Sequence, residues 1–300
     1  MNKNDVGWKG VFVVSVTPFT ETGEINTDDF ERCIDFYLGS GIHGLIVGGH
    51  ASESWALETE ELELLARIAI KKIDGRIPVI VAIEKVIEKE IIEIANACSA
   101  SGADGIMVQP PNIISSATDE EIVNRYEEIS NGIKVPMMLY NNPRRTQILL
   151  TASLINRLSK IDKIVAIKET HKSFNHLTEL IHLCGNKLSI FVVIGEHVFP
   201  GLLIGADGYM SPGAVELLGK KGVELYECVV NSDINRAKEL HFKLASICNA
   251  ITTLGTMPVA MKEAMNLLGV PAGYPRRPVL PLNENKKRIL IETLKKLGLL

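Results

Sequence analysis

The sequence has no CxxC pair. Its five cysteines (Cys33, Cys98, Cys184, Cys228 and Cys248) stand far apart and are odd in number. That pattern argues against a disulfide framework and against a zinc site. Four of the five fall inside apolar helical patterns, where a free thiol behaves as a small hydrophobe. The seven histidines form no HxH or HExxH grouping, so no metal is expected. An excess of one charge is also missing. Lys and Arg number 32 against 36 Asp and Glu, a formal net charge of −4, which gives no basic field for nucleic acid or an anionic membrane. No apolar run approaches the roughly 20 residues of a membrane span. The opening MNKNDVGWKG lacks the apolar core of a secretion signal. These absences predict a reduced, cytoplasmic protein whose partners are small molecules.

What is present is an alternation of two patterns. Short β-branched runs occur at Val11–Val16, Gly44–Val47, Val79–Ile83, Gly105–Val108, Val135–Tyr140, Ile164–Ile167, Ile190–Ile194 and Gly208–Met210. Most are apolar throughout, as strands buried on both faces require. Between them lie helical patterns such as Thr27–Gly39, Glu58–Lys72, Lys85–Ser101, Asp119–Asn131 and Ala152–Leu158. Within Glu60–Ile70 apolar residues recur at three- and four-residue steps, giving one buried stripe. Asp119 and Glu120 place negative charge at the positive end of their helix. Gly102, Gly132 and Gly185 are read as left-handed residues closing helices.

Eight strands each followed by a helix predict a closed (β/α)8 TIM barrel. The rival is an open doubly wound sheet, which carries a glycine-rich fingerprint after its first strand. Here that strand runs into Ser15-Val-Thr-Pro-Phe19 instead. From Val223 the pattern becomes purely helical, so residues 1–222 are assigned to the barrel and 223–300 to a C-terminal helical extension packed on it.

Working residues of such barrels stand at the C-terminal ends of the strands. Lys168 ends Ile164-Val-Ala-Ile-Lys168, where desolvation would lower its pKa and leave a neutral amine able to attack a carbonyl. The alternative is a lysine snorkelling outward at a strand end. Tyr140 ends the preceding strand, as a proton carrier or as a half-buried phenol with a satisfied hydroxyl. The Gly48-Gly49 loop, with Ser52 and Ser54, offers backbone N–H groups for an anion. Ordinary tight turns use the same residues. Arg144 and Arg145 offer a guanidinium fork for a second carboxylate, and only one of the two is expected to point inward.

In order along the chain stand Thr17-Pro-Phe19, Gly49-x-x-x-Glu53-Ser54, Asp74-Gly-Arg-Ile-Pro-Val79, Leu139-Tyr-Asn-x-Pro143, Ile167-Lys-Glu169 and Gly205-Ala-Asp-Gly208. With these motifs the chain resembles the dihydrodipicolinate synthase/N-acetylneuraminate lyase family of pyruvate-dependent class I aldolases over nearly its whole length. The resemblance implies a barrel with a helical extension, assembled as a homotetramer (a dimer of dimers). It also implies a covalent imine chemistry that needs no metal or organic cofactor. By position, Lys168 matches the imine-forming lysine and Tyr140 the proton-transferring tyrosine. Arg145 matches an arginine holding the second substrate, while Gly195 and Met210 match the lining of the pyruvate pocket. Gly49, His50, Ala51 and Ser52 fall in the loop that holds the pyruvate carboxylate.

That loop departs from the family pattern. His50 and Ala51 stand where two hydroxyl residues are usual, and Ser52 stands where glycine is usual. After the fourth strand, Gln109-Pro-Pro-Asn112 puts Pro111 and Asn112 at two tyrosine positions. The phenolic relay is thus lost at two of three stations; either His50 carries protons in its place, since imidazole titrates near neutrality, or it packs in the loop and the relay is degenerate. The expected activity is a lyase or aldolase acting on pyruvate or a related 2-keto acid, with an aldehyde as second substrate. Lyases or dehydratases acting on 2-keto-3-deoxy sugar acids fit the altered loops as well. A non-catalytic keto-acid sensor is the reading from a different class.

Overall fold

The computed structural model describes residues 1–112, 114 and 116–300. Eight parallel strands close into a barrel in chain order. They are β1 (Gly10–Val14), β2 (Gly44–Val47), β3 (Val79–Ile83), β4 (Gly105–Val108), β5 (Met137–Asn141), β6 (Ile164–Glu169), β7 (Ser189–Val192) and β8 (Gly208–Tyr209). Every strand residue is buried. The barrel interior covers one face and the surrounding helices the other, which is why the strands show no polar alternation.

Several strand boundaries differ from expectation by one or two residues, two of them for an evident local reason. β5 starts at Met137 because Pro136 has no N–H to give the ladder. β6 runs on through Lys168 and Glu169 because its pairing with β5 continues past the apolar run: Tyr140 lies opposite Lys168 and Asn141 opposite Glu169. The helices begin where side chains supply the missing acceptors. In the helix Asp119–Gly132, Thr118 Oγ1 accepts from Glu121 N at 3.3 Å, and Glu121 Oε2 accepts from Thr118 N at 2.7 Å. Of the three glycines read as left-handed, only Gly102 adopts that conformation, with φ +102°. Gly132 is the last residue of its helix, and Gly185 caps its helix in the right-handed region. What their positions reject is a Cβ, which would meet Ile92 at Gly132 and the Ile181 carbonyl at Gly185.

The expected boundary at 223 falls inside the helix Lys220–Val230, which packs on β1 and completes the outer ring. The helices Ile234–Thr253, Met257–Leu267 and Glu284–Lys296 follow it. Met257–Leu267 lies against the short turn His50–Ser52 and the helix Ala214–Leu218, so it forms one side of the barrel mouth. Among the described residues no single helix is long and apolar enough to cross a membrane. Ile234–Thr253 and Met257–Leu267 pass such a test only together, across a 118° bend. All five cysteines are free and buried.

Candidate active site

The pairing of Tyr140 with Lys168 sets two inward side chains next to each other at the top of β5 and β6. The Lys168 ammonium sits over the Tyr140 ring, 4.5 Å from its centroid. Lys168 is 4% exposed, and among the described residues it has no hydrogen-bond or ion-pair partner. Burial pulls its pKa down to about 8, with Glu84 and Glu216 opposing the shift and Arg145 adding to it. A strand-end lysine that snorkels to water would show none of this. The Tyr140 hydroxyl accepts from Asn142 Nδ2 at 2.8 Å, and burial pushes the phenol up to about 12. It stays protonated at neutral pH and can donate.

The outward residues on the next rung, Asn141 and Glu169, hold the loops. Glu169 Oε2 accepts from Asn141 Nδ2 at 2.8 Å and lies 3.1 Å from His176 Nε2, while its Oε1 accepts from His171 N at 2.6 Å. Asn141 in turn donates to the Leu150 carbonyl at 3.0 Å and accepts from Leu150 N at 3.1 Å. One motif residue therefore faces the chemistry, and its neighbour fixes the backbone that aims it.

The Gly48–Ser54 loop is built by close approach. Gly48 has φ +80°, and a Cβ there would come within 2.3 Å of Leu62; at Gly49 it would come within 2.6 Å of Val14. Ser52 points away from the mouth, its hydroxyl donating to the Ser15 carbonyl at 2.5 Å and accepting from Gly48 N at 3.1 Å. Thr17 Oγ1 donates to the Ser52 carbonyl at 2.8 Å. The Thr17-Pro-Phe19 and Gly49–Ser54 motifs thus form one clamp. It presents the short 3-10 turn His50–Ser52, whose own bonds run from Ser52 N to Gly49 O and from Glu53 N to His50 O. The N–H groups of His50 and Ala51 lie outside those bonds.

His50 packs against Trp55, with ring centroids 4.9 Å apart and the planes tilted by 52°. Burial, then the charges of Arg145 and Lys168, lower it to about 3, so it is neutral at physiological pH. Its Nδ1 is buried without a partner. The phenol's hydrogen-bond partner is Asn142, a residue that the sequence did not single out, and no direct bond joins it to His50. Arg145, the inward member of its pair, is already engaged. Its Nη1 and Nη2 donate to Glu84 Oε1 and Oε2 at 3.0 and 3.1 Å, and its guanidinium lies 5.9 Å from the Trp55 ring.

These groups surround a cavity of about 820 Å3, within the usual range for small-molecule sites. His50, Ala51, Tyr140, Arg145, Lys168 and Met210 line it. Gly49, Ser52 and Gly195, expected as substrate contacts, are not on its wall: the first two are packed into the clamp, and Gly195 opens the helix Gly195–Leu203 with Cys248 2.8 Å from where its Cβ would stand. Pro111 is buried and Asn112 exposed, and neither reaches the cavity. Glu216 was not foreseen. It lines the cavity at 4% exposure, with Oε2 buried and unpartnered among the described residues, and burial raises its pKa to about 7. A buried glutamate in a short apolar helix, Ala214-Val-Glu-Leu-Leu218, was the available signal.

A (β/α)8 barrel holding an unpaired lysine beside a tyrosine at its mouth suits an enzyme that works on carbonyl carbon. The model of the dihydrodipicolinate synthetase family matches residues 7–297, and the chain belongs to that family as one of its lyases. An uncharacterised DapA-like lyase of Rhizobium meliloti is 31% identical, over 98% of this chain and 97% of its own. The 4-hydroxy-tetrahydrodipicolinate synthase of Pelobacter propionicus is 30% identical, over 98% and 100%. Among solved structures, YagE of E. coli K12, a prophage protein of the dihydrodipicolinic acid synthase family crystallised with pyruvate, superposes with a TM-score of 0.93 at 29% identity, covering 98% of this chain and 99% of its own. Membership of a lyase family sets aside the sensor reading.

Proposed function

We propose that Lys168 forms an imine with pyruvate or a related 2-keto acid, and that the derived enamine adds to an aldehyde or is released from one by cleavage. One observation carries this reading: the unpaired, buried Lys168 over the Tyr140 ring, with a pKa near 8. The neutral amine attacks C2 of the keto acid, and the carbonyl oxygen takes a proton to give a carbinolamine. Tyr140 donates a proton to the departing hydroxyl, which leaves as water, and the imine remains. Loss of a C3 proton gives the enamine, whose carbon bonds to the aldehyde carbon while the aldehyde oxygen is protonated. Water then restores the lysine and frees the product; the same steps reversed cleave a 4-hydroxy-2-keto acid. The turn at His50–Ser52 supplies N–H groups for the keto-acid carboxylate.

The pyruvate in the YagE crystals supports the keto acid, and the curated relatives named 4-hydroxy-tetrahydrodipicolinate synthase support condensation as one direction. The test is borohydride reduction in the presence of pyruvate followed by intact mass. A reduced pyruvate adduct on wild type, absent in Lys168→Ala, supports the reading; an unmodified wild-type mass overturns it. The same proposal includes no metal or organic cofactor, a cytoplasmic location and a dimer of dimers. Light scattering checks the last, and the family includes a monomeric variant among its solved structures.

A further inference from the structure

We propose that Glu84 makes the cavity mouth a subsite for an uncharged, hydroxylated segment of substrate and keeps a carboxylate out of it. The aldehyde partner is then of the hydroxyaldehyde class. This deepens the Schiff-base reading and rests on it for the covalent step.

The observation is the state of Arg145. Both ends of its guanidinium fork are taken by both carboxylate oxygens of Glu84, and the two side chains are only 23% and 11% exposed. A free arginine on a cavity wall would attract a carboxylate. One already paired in this geometry presents no net charge. Seating a second carboxylate on it would place two anions side by side in a partly desolvated site, and such juxtaposition carries a penalty of several kcal/mol at interfaces. A hydroxyl group meets no such penalty. It both donates and accepts, and Arg145, which lines the cavity, still offers its remaining guanidinium N–H groups.

Two further features agree. Glu216, with its unpartnered Oε2, adds a second hydroxyl-binding group and more negative charge to the same cavity. The remaining cations on the wall, Arg144 and Lys172, are exposed to solvent, where salt screens them. They give a carboxylate no desolvated seat.

The test pairs two four-carbon aldehydes, erythrose and succinic semialdehyde, each with pyruvate. Wild type should prefer erythrose by on the order of 100-fold in kcat/KM. Glu84→Gln keeps the shape, frees the charge of Arg145, and should move the ratio about 10-fold or more toward succinic semialdehyde. Wild type using the two equally, or a folded Glu84→Gln with an unchanged ratio, overturns the proposal. Should that variant fail to fold, the wild-type ratio decides. Borohydride trapping of pyruvate on the same samples reads the Schiff-base step separately. If no adduct forms, ligand-observed NMR with erythritol and 4-hydroxybutyrate needs no imine: binding of erythritol alone supports the subsite, and equal or stronger binding of 4-hydroxybutyrate overturns it.

Discussion

Lys168 and Lys262 are both buried, at 4% and 1% exposure, and both lie over an aromatic ring, Tyr140 at 4.5 Å and Phe19 at 4.6 Å. Their partners differ. Lys262 is ion-paired with Glu53 and donates to the Tyr274 carbonyl at 2.8 Å. Glu53 also accepts from Arg276 N at 3.0 Å, and it holds a left-handed backbone at φ 58° between the two short turns of the clamp. That lysine joins the barrel mouth to the extension. Burial lowers the pKa of both lysines, but Lys168 has only the fields of Glu84 and Glu216 against it and no partner for its N–H groups among the described residues, so its amine is open to the cavity. The hydrogen bonding of a buried lysine, more than its depth, separates the structural ammonium of Lys262 from an amine free for the proposed imine chemistry.

The comparison can be broken at each lysine. Lys168→Ala should lose turnover altogether and trap no pyruvate, with circular dichroism unchanged. If it traps as well as wild type, another lysine is the nucleophile. Lys262→Met should leave the trap working in whatever fraction stays folded, but it strands Glu53 as an unpaired buried anion. Denaturant unfolding should report a loss of about 3–5 kcal/mol. A loss under 1 kcal/mol would mean that the pair is not the seam described here.

Lys168→Met should move stability the other way. The folded pKa, about 8, lies below the ordinary value near 10.5, so the unfolded chain binds this proton more tightly. The penalty is complete below about pH 8 and fades as pH rises toward the unfolded value. Removing the charge should therefore stabilise the protein by up to about 3 kcal/mol at neutral pH, and the gain should shrink in alkaline buffer. A destabilised variant at pH 7 would contradict the unpaired state of Lys168.

The sequence revealed the barrel because parallel strands buried on both faces read as separate apolar runs, and because helix caps and charges marked the intervening starts. Lys168 and Tyr140 were legible for the same reason: each polar residue ends an apolar run, and strand ends in this fold face the site. What the residues of one loop touch across space was not legible. Ser52 looked like a ligand because a serine in a glycine-rich loop has the right chemistry, but its hydroxyl is spent on Ser15 and Gly48. Arg145 looked free because its partner Glu84 is 61 positions away, just past the end of β3. Asn142 and Glu216 sit in short segments with no periodicity to show which way they point.

Glu216 gives the finest probe of the reactive lysine. Its carboxyl has an unpartnered oxygen in the same cavity, and burial lifts it to about 7 while the charge of Lys168 pulls it back. The coupling is mutual: ionised Glu216 holds the Lys168 pKa up. The kcat/KM profile of wild type should rise with pH through about 8, as the free amine forms. Glu216→Gln keeps the shape and removes the anion, so the Lys168 proton should leave more easily and the rising limb should move to lower pH by a fraction of a unit. The plateau should change less than the limb, because the substitution leaves Tyr140 and Asn142 in place. A profile that stays put would show that the two groups do not sense each other, and a shift to higher pH would reverse the sign assigned to Glu216.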